Sequence, residues 1–294
     1  MRRKYLSDLH RLTKRPVIIY YSAWLQNPDP QTAITLADIQ GFMETVRGLE
    51  YDRGIDLILH LPGGEAETAC RIVEYLRAKF TGEIRAFVPI ASMSAGTMLA
   101  LGCDTIVMGE HSQLGPTDPQ IPQQSGGIIR YVPTQAILQQ FAKAQDEINE
   151  NISALAVWTP ILGQYGTSLL AECEAHQQLA ESLVERWLST WMLKDDQEKA
   201  KKAAEWFNDF NTHLSHSQGI NREQAGDQGI VVERLEDDNE LQDAVLSIHH
   251  TTMHTLGSTN AIKIIENHKG KAFILHQTPV MSPIPVSPDP PPSN

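Results

Sequence analysis

The feature that most constrains this fold is an alternation. Short runs rich in β-branched and aromatic residues, "VIIYYSA" (17–23), "IDLILHL" (55–61), "IRAFVPI" (84–90) and "DTIVMG" (104–109), alternate with segments whose apolar residues are spaced as on a helix. Those segments are "TLADIQGFMETVRGL" (35–49), "EAETACRIVEYLRAKF" (65–80) and "SAGTMLALG" (94–102). Short apolar runs bounded by turns read as buried strands, and a 3.6-residue period reads as an amphipathic helix. Strands alternating with helices at this spacing predict a mostly parallel α/β layer over about residues 15–135. In such layers functional loops gather at the carboxyl ends of the strands. Two unusual stretches fall there: Gly63-Gly64 after one strand and Ser94 after the next.

From about 134 to 212 the pattern turns almost wholly helical, which reads as a helix-rich insertion serving as a lid or an oligomerisation surface. A strand-like "IVVERL" (230–235) and a helix over about 239–256 follow. The end, "PVMSPIPVSPDPPPSN", is too proline-rich to build a core and reads as a disordered or polyproline extension. The expected organisation is a basic N-terminal segment (1–14), one α/β domain (15–260) and a C-terminal extension (261–294).

Composition excludes several classes. With 41% hydrophobic and 20% charged residues in 294, the chain has the means to build a sizeable core. A net charge of −12 argues against a nucleic-acid binder, whose affinity comes from clustered Lys and Arg. The basic opening lacks the apolar region of a signal peptide, and no stretch of about 18 uninterrupted apolar residues is present. The expectation is a cytoplasmic protein without a membrane span. Cys70, Cys103 and Cys173 are odd in number and lack CxxC spacing, so free thiols are expected. His250 and His254 stand four apart on a helical segment beside His249, but no obvious third ligand accompanies them; no metal or cofactor is expected.

Glycines after a strand can turn backbone N–H groups outward and let a ligand carbonyl approach. Donors preorganised in this way form an oxyanion hole, although a Pro-Gly-Gly alone is also an ordinary turn. Ser94 opens a helix and is followed by Ala and Gly, which leave its hydroxyl uncrowded. It is either an exposed nucleophile, with the amides of Ala95 and Gly64 as candidate oxyanion donors, or an N-cap that satisfies an orphan N–H. A serine nucleophile needs a base within hydrogen-bond reach, and the base needs an orienting acceptor.

"LHLPGGEAETACRIVEYLR", "PIASMSAGTMLALGCDTIVMGEHSQLGPTDPQI" and "SHSQGI" resemble the serine dehydrogenase proteinase family, a branch of the Clp-fold (crotonase-like) serine proteases related to signal peptide peptidase A and the Clp proteolytic subunit. The resemblance is tight over about 53–122, looser over 123–260 and absent in the tail. It implies an α/β ClpP/crotonase-like fold with repeated β-β-α-type units and a helical C-terminal extension, assembled as a homo-oligomer. It also implies a serine endopeptidase acting on protein or peptide substrates. Ser94 matches the family nucleophile, Gly64 with the Ala95 amide its oxyanion hole, and Asp118 its acidic residue; His216 resembles its histidine. Some relatives use a Ser-Lys dyad instead, for which Lys143 is the alternative base. Two rival readings remain at this point: a catalytically incomplete scaffold or binding protein on the same fold, and a crotonase-like acyl-CoA hydrolase or hydratase.

Overall fold

The computed structural model describes residues 1–277 apart from Gly126. The Pro-rich stretch lies outside the described residues. The alternating segment forms α1 (Arg2–Thr13), β1 (Val17–Ser22), α2 (Asp38–Val46), β2 (Ile55–His60), α3 (Ala66–Lys79), β3 (Ile84–Val88), β4 (Ala91–Ser92), α4 (Ala95–Leu101), β5 (Thr105–Met108) and β6 (Gln113–Leu114). A hairpin, β7 (Gln120–Ser125) and β8 (Ile128–Pro133), leads into the helical part: α5 (Thr134–Glu150), α6 (Leu155–Leu162), α7 (Leu169–Thr190), α8 (Gln197–Asn208) and α9 (Phe210–His213). The chain then returns through α10 (Arg222–Asp227), β9 (Val232–Arg234), α11 (Asn239–Ser258), β10 (Ala261–Asn267) and β11 (Ala272–His276).

The central sheet has the order β11-β10-β1-β2-β3-β5-β9. The run from β1 to β9 is parallel, and β10 lies antiparallel to both β1 and β11. Because side chains alternate across a strand, each apolar run feeds two cores at once. Ile18, Tyr20, Leu57, Leu59, Ala86 and Ile106 face the core covered by α2, α3, α4, α7 and α8. Ile19, Tyr21, Ile58, Phe87 and Val107 face the one covered by α1 and α11. This two-sided burial is why these strands read as continuous apolar runs rather than alternating ones. The expected ClpP/crotonase-like α/β architecture is borne out.

The two ends of the chain differ from the expected organisation. The basic segment is the helix α1, which buries Leu6 and Leu9, while Arg2 and Arg3 each hold Glu266 of β10 at 2.6 Å. The segment after 260 is not peripheral, since β10 and β11 are strands of the central sheet. Polar residues inside β10 disguised it in the sequence. Lys263, Glu266 and Asn267 are all fully buried, each bonded to a partner from far along the chain.

Candidate active site

Strand β2 ends at His60 and the chain continues through Leu61 and Pro62 into the diglycine. Leu61 bridges Ser92 of β4 in parallel, with Leu61 N donating to Ala91 O and Met93 N to Leu61 O. This pairing carries the diglycine loop alongside the turn that ends in Ser94. A Cβ placed on Gly63 would lie 2.7 Å from Ser94 Cβ and 3.2 Å from its Oγ, so only glycine lets the loop come this close. Gly63 and Gly64 also have φ of 109° and 146°, conformations that L side chains rarely adopt.

Ser94 itself has φ 52° and ψ −120° and makes no side-chain cap hydrogen bond, so it is not an N-cap in the usual sense. A non-glycine residue in this region is strained, and such strain concentrates where a side chain must be presented. The residues around it are buried and Ser94 is partly exposed. Among the described residues, the amides of Gly64 and Ala95 donate to no protein acceptor. Both residues line the same cleft as Ser94, and amides left free in this way are available to an incoming negative oxygen.

Asp118 and His216 reach the site from elsewhere. Leu114 and Ile220 exchange N–H···O bonds of 2.9 Å, which lays the segment after β6 beside the loop between α9 and α10. Gly115 N donates to Thr97 Oγ1 of α4, and Thr117 N to Phe207 O of α8. On this scaffold His216 Nδ1 lies 2.7 Å from Asp118 Oδ1. A carboxylate only accepts, so Nδ1 carries the proton and Nε2 is left as the basic nitrogen. Asp118 is almost fully buried, while the imidazole keeps a fifth of its surface exposed. No hydrogen bond joins Ser94 Oγ to His216 among the described residues.

Ser94, Ala95, Gly63, Gly64 and His216 line one cleft of about 770 Å³, together with Ile34, Met98, Tyr131 and His176. The structure therefore gathers the candidate residues in one place, with Asp118 directly behind His216. Lys143 is not among them. It lies on α5 with its side chain 68% exposed and 3.8 Å from Glu147, and no lysine lines the cleft. The three cysteines are free, and burial raises the thiol pKa of Cys103 to about 12. Ile34, Tyr131 and His176 were not singled out from the sequence; nothing local marks them, because they reach the cleft only through tertiary packing.

A family model described as ClpP-like SDH-type serine proteinase matches residues 31–265. The chain belongs to that family. The matched span covers every residue of the cleft named above. Among curated proteins, this chain is 42% identical over 90 residues to one uncharacterized protein of Methanocaldococcus jannaschii and 30% identical over 117 residues to another. The matches take in 31% and 40% of this chain, and span only 31% and 37% of the length of those relatives. Two solved structures are also similar: a mutant of the 1510-N membrane-bound stomatin-specific protease, at 19% identity and a TM-score of 0.40 over 72% of this chain and 79% of that one, and a second mutant of that protease in complex with a substrate peptide, at 21% identity and 0.37 over 65% of each chain. Among the described residues no helix is long and apolar enough to cross a membrane.

Proposed function

We propose that this member of the family is a serine endopeptidase that hydrolyses peptide bonds through an acyl-enzyme on Ser94. Ser94 Oγ attacks the scissile carbonyl while His216 Nε2 takes its proton and then delivers it to the leaving amine. Asp118 holds the Nδ1–H tautomer and stabilises the imidazolium that forms. The amides of Gly64 and Ala95 receive the negative charge of the tetrahedral intermediate. Water then repeats the sequence on the acyl-enzyme, with His216 again as base.

The observation that carries this reading is the strained, uncapped Ser94 packed against Gly63 in the cleft that His216 enters. A crotonase-like acyl-CoA enzyme would leave that serine without a task. A Ser-Lys dyad would lack a base, since Lys143 is exposed on α5. Catalytic hydrogen bonds are often long in unliganded sites and tighten around substrate, so an unbonded Ser94 and His216 are compatible with the mechanism. The exposed Ile128, Ile129 and Tyr131 on the β7–β8 hairpin suit burial in a homo-oligomer. We place the protein in the cytoplasm.

The reading is tested by incubating wild type and Ser94→Ala with an unfolded protein substrate and analysing fragments by mass. Fragments from wild type alone are expected. Equal fragmentation by both variants, or none by either in every oligomeric fraction, would overturn the assignment.

A further inference from the structure

The cleft has a third wall besides the Ser94 turn and the diglycine: residues 32–35, between β1 and α2. This segment is paired to the diglycine as if it were a strand. Ile34 N donates to Gly63 O at 2.7 Å, Glu65 N donates to Ile34 O at 3.0 Å, and Ile34 bridges Gly64 in parallel. The approach is so close that a Cβ on Gly64 would lie 2.4 Å from both Ile34 N and Ile34 O. Wherever Ile34 goes, the diglycine loop must follow.

Ile34 is in turn held from both sides by one buried ion pair. Lys263, on β10, donates to Ala33 O at 2.7 Å and to the two carboxylate oxygens of Asp38 at 2.9 and 2.8 Å. Asp38 Oδ2 accepts from Thr35 N at 2.8 Å and from Tyr20 Oη at 2.6 Å. The lysine thus fixes the peptide group before Ile34, and the aspartate fixes the one after it. Lys263 and Asp38 are both fully buried. All three ammonium protons have acceptors, so this lysine is occupied as a clamp and is not a proton acceptor for Ser94.

Burial lowers the Lys263 pKa, with Asp38 opposing that shift, and burial followed by Asp38 raises Tyr20 well above its ordinary value. A buried pair of this kind is a poor stability device compared with apolar packing, and the best use of its directional bonds is to specify one geometry. We infer that the Asp38–Lys263 pair, supported by Tyr20, is a positioning device for the oxyanion loop, holding Ile34 and through it Gly63-Gly64 against Ser94. Its geometric part stands independently; its effect on rate rests on the hydrolase reading above.

The test uses the full chain. In the Asp38→Asn/Lys263→Met double variant neither charge is left unpaired, and residue-resolved hydrogen exchange is followed at Ile34, Thr35 and Glu65 with Phe87 of β3 as control. The expected result is exchange at least about tenfold faster at the first three sites and unchanged at Phe87. It is accompanied by a drop in kcat of about ten- to a hundredfold with KM held within about threefold, as for a weakened oxyanion hole. Unchanged exchange at the loop sites, or equal acceleration at Phe87, overturns the inference. If the double variant does not fold, Tyr20→Phe, which keeps both charges, decides by the same exchange sites. There, acceleration confined to Ile34, Thr35 and Glu65 supports the clamp, and no acceleration or equal acceleration at Phe87 removes it. A wild type that turns over no substrate sinks the role of Ser94, while the exchange measurement still decides the clamp.

Discussion

The two halves of the candidate site are built differently. The serine and diglycine half is suspended from the sheet: Leu61 bridges Ser92, Ile34 bridges Gly64, Gly96 N donates to Met93 O, and Thr97 Oγ1 donates to Ser92 O. Ile34, Leu61, Gly63, Ser92, Met93 and Ala95 are buried there, while Gly64 and Glu65 are exposed at the mouth of the cleft. The imidazole half hangs on a loop in which Leu214, Ser215, Ser217 and Gln218 are exposed, tied down by the Leu114–Ile220 bridge and the bond to Asp118. Exposed loops with few buried contacts open at lower free energy than core strands. On the proposed mechanism, the half that would bind the carbonyl is held by backbone pairing, whereas the half that would move the proton is tied down by fewer bonds.

The sharpest way to break this contrast is to disturb the rigid half. Gly63→Ala forces a Cβ to within 2.7 Å of Ser94 Cβ at a φ of 109°. It is expected to abolish hydrolysis and to cost about 1–3 kcal/mol of stability, read by denaturant titration. An active, fully stable Gly63→Ala protein would show that the loop is not fixed against the serine.

In the imidazole half the expected effect is large on rate and small on the fold. Asp118→Asn keeps the shape but favours the wrong imidazole tautomer, and kcat is expected to fall by about 10⁴ with the unfolding midpoint barely moved. A loss of less than tenfold would detach Asp118 from the chemistry.

A smaller effect concerns the back of the sheet, where His60 of β2 packs against Tyr21, Trp24 and His249. Among the described residues, neither ring nitrogen of His60 finds a well-formed hydrogen bond. Burial, reinforced by the neighbouring His249, lowers its pKa to about 3, and burial lowers that of His249 to about 4. Above the unfolded value near 6.5 both states are neutral and stability is full. As pH falls from about 6.5 toward 3, the unfolded chain takes up protons that the folded one refuses. Stability then declines by at most about 1.4 kcal/mol per pH unit for each such group. His60→Phe should flatten this slope in urea titrations between pH 7 and 4; an unaltered slope would mean that His60 titrates normally.

Much of this architecture was legible because two-sided burial writes itself into composition. Strands β1, β2, β3 and β5 lie where their apolar runs stand, and helices α2, α3 and α4 start and stop within a few residues of their periodic segments. Strand β10 was missed because the interior is not always apolar: Lys263, Glu266 and Asn267 are buried against Asp38, Arg2 with Arg3, and the Thr45 carbonyl. Such pairings join residues more than 200 apart, and no local pattern announces them. The β7–β8 hairpin escaped for the opposite reason, since "QIPQQS" carries little β-propensity and, of its apolar residues, buries only Ile121. At the site, Ser94, Gly64, Asp118 and His216 were nameable from motif resemblance. Their convergence was not, because it depends on the Leu114–Ile220 bridge and on the pairing of Ile34 with the diglycine.

The central claim, that the strained serine is a nucleophile served by His216, is tested most directly by intact-mass labelling with a fluorophosphonate probe. One adduct is expected on wild type, mapped to Ser94, absent from Ser94→Ala, lost or greatly slowed in His216→Ala and unchanged in Lys143→Ala. Labelling that survives in His216→Ala but disappears in Lys143→Ala, or a wild type that takes no label in any oligomeric fraction, would contradict it.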